Sequence, residues 1–165
     1  MNSPSSPLPE LPAVGFLADV PAEHRAFLTG FGKFCRPHNG DEFIAEGSSQ
    51  EALSLVLAGT LHVVSSVGDR PMLLATLGEG DSLGEINLFD PATASASVIA
   101  RSECLIWSVT RSELDGLVAA DPTVGLDVMK GLLRQLSRRI RRMNEKLATS
   151  ERNPIFHDYW NTQKP

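Results

Sequence analysis

Between Phe43 and Val109 the chain carries only short apolar runs, each broken by a glycine or a polar corner. Phe43-Ile44, Leu53 to Leu57, Leu61 to Val64, Met72 to Leu77 and Leu105 to Val109 have the length and residue types of strands. Gly40, Gly47, Gly59, Gly68, Gly78 and Gly80 punctuate them at the spacing of tight turns. About eight short strands with glycine-rich corners predict a jelly-roll-like double sheet, a β-roll. Helical patterns lie on both sides of it, so the expected class is α+β.

Those flanks set the organisation of the 165 residues. Residues 1–12 are rich in Ser and Pro and lack a basic start or an apolar stretch, so they read as a disordered leader rather than a secretion signal. Residues 13–120 hold the β-roll. Within them Pro21 to Phe31 has Ala26, Phe27 and Phe31 at helical spacing behind a proline that starts helices. Thr110-Arg111-Ser112-Glu113 is a capping box for a helix to about Ala120. Asp121-Pro122 then caps and opens a further helix over residues 121–150. Residues 151–165 form an aromatic tail in which Phe156, Tyr159 and Trp160 follow Pro154; it either folds back or docks on a partner.

In the last helix Leu126, Met129, Leu133, Leu136, Ile140, Met143 and Leu147 alternate in steps of three and four. That is a coiled-coil seam, and it predicts a homodimer through 126–147. In a parallel pair Lys146 would meet Glu151 of the partner helix, an attraction, and Arg139 would meet Asn144, which is neutral. Residues 121–152 carry eight Lys/Arg against four acids, while the whole chain is at −5. A basic stripe of this kind attracts acidic partners or simply solvates the flank of a coiled coil.

Chemistry concentrates between the strands, at Ser82-Leu83-Gly84-Glu85-Ile86-Asn87-Leu88-Phe89 and Ser95-Ala96-Ser97-Val98. This pair of segments resembles the phosphate-binding cassette of cyclic-nucleotide-binding domains in the cyclic-AMP receptor protein/FNR superfamily. Glu46-Gly47, Leu53 to Leu57 and Ala58-Gly59-Thr60-Leu61 match the same pattern, and the likeness covers about residues 17–148. The resemblance implies that Glu85 accepts the ribose 2′-hydroxyl, that Gly84 and the amides of Glu85, Ile86 and Asn87 face the phosphate, and that Ser95, Ala96 and Ser97 assist. The family's Pro and Arg are replaced by Thr93 and Ala94. An arginine there would close a two-pronged, charge-assisted bond, and its loss costs about 1.5–3 kcal/mol, roughly tenfold to over a hundredfold in affinity. Arg70 or Arg101 are the candidates to replace it. Where cyclic-AMP-responsive members carry a Thr-Ser pair that bonds the base across the dimer, this chain has Met143 and Asn144; only the amide of Asn144 can read a base edge.

Other classes fit less well. Metal-binding jelly rolls use a His-x-His pair with a Glu, whereas His62 stands alone on its strand and His24, His38 and His157 are scattered, so no metal is expected. No pattern of a nucleophile with its base is present, and no catalytic residue is assigned. Cys35 and Cys104 are isolated in apolar surroundings and read as buried, reduced thiols of a cytoplasmic protein; two such residues cannot hold the cluster of the superfamily's oxygen sensors. No run of 18 apolar residues suggests a membrane span. Only Glu151 to Pro165 follow the long helix, too few for the superfamily's winged helix-turn-helix, so DNA binding is not expected. The leading expectation is a stand-alone regulatory sensor that binds a cyclic nucleotide and signals through the C-terminal helix and tail to a partner protein, with no other cofactor. The alternatives are a ligand-free interaction module with the same fold, and a cyclic-dinucleotide receptor that uses the Arg-rich helix.

Overall fold

The computed structural model describes residues 10–66 and 70–151, with the side chains of 150 and 151 outside that description. Eight strands run through it: β1 (Lys33–Cys35), β2 (Glu42–Ile44), β3 (Ala52–Ala58), β4 (Leu61–Ser65), β5 (Met72–Leu77), β6 (Ser82–Leu83), β7 (Ser97–Ala100) and β8 (Leu105–Thr110). A 3-10 turn (Gly15–Leu17) and four helices are the other elements among the described residues: α1 (Ala22–Leu28), α2 (Glu85–Phe89), α3 (Arg111–Ala120) and α4 (Pro122–Glu151). The strands form two four-stranded antiparallel sheets, ordered β1-β8-β3-β6 and β2-β7-β4-β5. The expected β-roll with flanking helices and a long C-terminal helix is present.

Period-two alternation explains why β3 and β8 read as nearly continuous apolar runs. Leu53, Leu55, Leu57, Trp107 and Val109 face the helices and pack with Phe16, Leu17, Leu28, Leu117, Val124 and Val128. Val56 and Ile106 face the other way and fill the space between the sheets with Ile44, Leu61, Val98 and Cys104. Ser54 and Ser108 also turn inward, and their hydroxyls satisfy one another at 2.7 Å. The Trp107 indole donates to the Phe31 carbonyl at 3.1 Å, so the largest core side chain leaves no buried donor unmet.

Several boundaries differ from expectation. Leu11, assigned to the leader, is buried in the core, and its carbonyl accepts from the Arg25 Nε at 2.9 Å. α1 stops at Leu28 rather than Phe31, because amides 29 to 31 each bond the carbonyl three residues back and wind the chain out of the helix. Cys104 is buried, but Cys35 is only half-buried, with its thiol donating to the Ile106 carbonyl at 3.6 Å. The capping box of α3 is complete: Thr110 Oγ1 accepts from the Glu113 amide, and the Glu113 carboxylate accepts from the Thr110 amide. Asp121 Oδ1 accepts from the amides of Thr123 and Val124 and so caps α4.

α4 has two apolar faces. Val124, Val128 and Leu132 turn to the core, and Gly131 lies so close to the Phe16 carbonyl that a side chain there would collide with it. On the other face Leu126, Leu133, Ile140 and Leu147 are 53–64% exposed. His24 and Arg134 add bonds to the roll side, at 2.9 Å to Asp127 and 2.9 Å to Asp19. The tail from residue 152, residues 1–9 of the leader, Gly68 and the side chain of Glu151 lie outside the described residues. Among the described residues no helix is long and apolar enough to cross a membrane.

Candidate functional site

β6 is only two residues long, and both are buried; it ends at Gly84, whose φ of 83° and close approach to the Ala52 carbonyl admit no side chain. The turn drops the chain into α2, with Leu88 directed to the core and Ile86 and Phe89 outward. Glu85, the first residue of α2, is 3% exposed. A carboxylate so placed requires a partner. α4 supplies it: Arg139 Nη1 donates to Glu85 Oε1, and Nη2 donates to the Ser82 carbonyl at 3.0 Å. One turn earlier Gln135 Nε2 donates to the Gly80 carbonyl at 3.0 Å. Three carbonyl or carboxylate groups around β6 are therefore clipped to α4.

Beside this clip lies a cavity of about 680 Å³. Its walls are the cassette, the β4–β5 hairpin through Val63, Leu74 and Thr76, and one face of α4. Of the residues expected to contact a ligand, Gly84, Glu85, Ile86, Asn87, Ala94, Ser95, Ala96 and Met143 line it together. Ser97 and Asn144 lie outside the lining. Strand alternation turns Ser97 away from the face that carries Ala96 and Val98, and its hydroxyl accepts from the Glu46 amide, in the turn after β2, at 3.0 Å. Asn144 is one helical step past Met143 and exposed on a different face of α4. Asn87 is partly committed already, since its Nδ2 donates to the Ala92 carbonyl at 3.0 Å and closes the loop after α2.

Ala94 is 9% exposed, and its backbone is held by bonds to Ser48 and Gly47 at 2.8 and 2.7 Å. Neither proposed substitute for the absent arginine reaches the cavity lining. Arg101 donates from Nε to His62 Nδ1 at 3.3 Å, and Arg70 is exposed elsewhere. The basic groups that do line it are Arg139, Arg142 and Lys146, at i, i+3 and i+7 on one face of α4. The sequence carries that spacing, but Arg139 and Lys146 were placed by it at a dimer seam and not beside the cassette. Arg139 and Arg142 also wall a smaller cleft of about 330 Å³ with Gln135 and Arg138.

The sequence pattern of the cyclic nucleotide-binding domain matches residues 37–121. The CRP-like cAMP-activated global transcriptional regulator of Mycobacterium tuberculosis is 32% identical over 110 residues, 66% of this chain and 47% of that protein. The chain spans about half the length of the curated relatives it matches. Among solved structures, a cyclic nucleotide-binding domain from Methylobacillus flagellatus superposes with a TM-score of 0.73 at 24% identity, over 80% of this chain and 75% of that one. The c-di-GMP responsive global regulator CLP of Xanthomonas campestris superposes with a TM-score of 0.68 at 19% identity, over 78% of this chain and 63% of the other. Likeness at these identities speaks for the fold, and the pattern match, which spans more than half of the 165 residues, for the family. The chain belongs to the cyclic nucleotide-binding domain family.

Proposed function

We propose that the protein is a regulatory sensor module in which a cyclic nucleotide seats between the cassette and α4 and changes how α4 rests on the roll. The observation that carries this reading is the Arg139–Glu85 pair. It joins the carboxylate that the family resemblance assigns to the ribose with the helix that would transmit the signal. A ribose hydroxyl donating to Glu85 would share the carboxylate whose Oε1 holds Arg139. Ligand occupancy and helix docking are then linked, and the helix responds because the ligand prefers one of its arrangements. The reading is regulatory rather than catalytic, and a cytoplasmic setting fits two unpaired thiols.

A homodimer is part of the same proposal. Leu126, Leu133, Ile140 and Leu147 repeat along the outer face of α4 while a separate apolar face already packs on the roll. A second α4 would cover them, and the change would pass through the pair to a partner protein.

The test is calorimetric titration of the protein with cyclic AMP, cyclic GMP and cyclic di-GMP, alongside Glu85→Ala. Binding by the unaltered chain that Glu85→Ala removes supports the sensor. No heat with any of the three up to about millimolar refutes it and leaves the ligand-free interaction module. Binding of cyclic di-GMP alone, retained in Glu85→Ala, would instead place a cyclic dinucleotide on the Arg-rich helix; the Xanthomonas relative, described as c-di-GMP responsive, is the precedent for that ligand.

A further inference from the structure

A cyclic phosphodiester brings a negative charge that must meet a cation once it leaves water. In this cavity the loop from Thr93 to Ser97 offers none, since it consists of Thr, Ala and Ser alone. All the basic side chains of the lining stand on the opposite wall, on α4. Arg139 is occupied by Glu85 and the Ser82 carbonyl. The other ion pairs of α4 among the described residues use Asp127, Lys130 and Arg134, and they leave Arg142 and Lys146 without a carboxylate partner. Both are exposed and line the cavity, one helical turn apart. Two like charges at i and i+4 on one helix face repel one another unless an anion is placed between them.

We infer that Arg142 and Lys146 hold the ligand's phosphate, so that the anion is bound from α4 instead of from the cassette. The inference rests on the cavity being the nucleotide site. A guanidinium takes two phosphate oxygens at once, and an ammonium adds a mobile point charge beside it. The ligand class is a ribonucleotide phosphodiester oriented with its ribose hydroxyl toward Glu85 and its phosphate toward the helix. In this arrangement the strongest contact of the ligand is made to the moving part, and releasing α4 from the roll separates the two halves of the site.

The experiment is titration of the full chain with cyclic AMP, cyclic GMP and cyclic di-GMP at low and high salt. The variants are Arg142→Gln with Lys146→Gln, the same pair with Ala94→Arg added, and Glu85→Ala. Both helix residues are exposed, so unchanged melting of the pair variant is expected and is checked first. The pair should weaken whichever probe binds by at least tenfold and flatten its salt dependence. Ala94→Arg should restore much of that affinity by returning a cation to the cassette. A loss smaller than tenfold in the pair, with binding abolished in Glu85→Ala, overturns the inference while the cavity remains the nucleotide site. Absence of binding by the unaltered chain overturns both.

Discussion

Replacing Arg139 by Met should destabilise the protein more than replacing Glu85 by Gln, although each change breaks the same ion pair. The asymmetry comes from what is left behind. Arg139→Met strands a carboxylate that is 3% exposed, while Glu85→Gln leaves a guanidinium that is 38% exposed and keeps its bond to the Ser82 carbonyl. Breaking a buried pair costs about 3–5 kcal/mol when the surviving charge stays buried. The partial exposure of Arg139 places Arg139→Met at the lower end, about 3 kcal/mol. Glu85→Gln forfeits mainly the charge assistance of one hydrogen bond, about 1.5 kcal/mol. For a chain of this size each kcal/mol lowers Tm by roughly 2–4 °C, which gives about 6–12 °C for Arg139→Met and about 3–6 °C for Glu85→Gln. The double variant buries no charge, so it should be more stable than Arg139→Met alone. Urea unfolding at neutral pH, followed by two probes and compared at equal slope, measures all three. A double variant less stable than Arg139→Met, or a Glu85→Gln loss as large as that of Arg139→Met, would refute the reasoning.

Two further outcomes are expected. Leu133→Asp with Ile140→Asp alters the outer face of α4 without touching the roll, and sedimentation should show a dimer of the unaltered chain become a monomer of unchanged fold; a monomer in both cases sinks the dimer. Burial pushes the Cys35 thiol above its usual value of 9.0, partly offset by a hydrogen bond with Ser108. The unfolded thiol then ionises first, so this contribution to stability is intact below pH 9.0 and is lost as pH rises beyond it. Urea midpoints between pH 8 and 10 should fall faster than those of Cys35→Ala, and parallel curves would show the burial to be energetically silent.

The fold was legible wherever one physical requirement dominated a segment. β3 is buried on both faces, so its apolar run stands out from its surroundings. β1, β6 and β7 have three, two and four residues, too few for alternation to register. α4 was legible as a helix, but its pattern was read for one face only. The seam from Leu126 to Leu147 hid the interleaved Val124, Val128 and Leu132, which bind the helix to its own roll. Leu11 was lost in a stretch of Ser and Pro because a single apolar residue has no period.

The site divides in the same way. Gly84-Glu85 could be found because the pair matches the family's motif, and the structure supplies its reason, a turn that admits no side chain followed by a buried acid. Arg139 could not, since it lies 54 residues from Glu85 and meets it only after α4 folds back. The family pattern ends at residue 121, before α4 begins. Ser97 was assigned from its place in a motif, and the pleat of β7 turned it to the other side.

The contact of Gly131 with the Phe16 carbonyl gives α4 a mechanical character. Backbone meets backbone there, with no side chain to deform, so the point acts as a fulcrum. Twenty residues of helix separate Gly131 from Glu151, an arm of about 30 Å at 1.5 Å per residue. A tilt of about 5° at the fulcrum carries the far end through roughly 2.6 Å by that geometry, about half the spacing of a helical turn's side chains. Arg139 sits about 12 Å along the same arm, where the tilt amounts to roughly 1 Å, enough to break a hydrogen bond. Loss of one ion pair near the pivot is thereby geared up into a displacement at the tip that a docked surface can register.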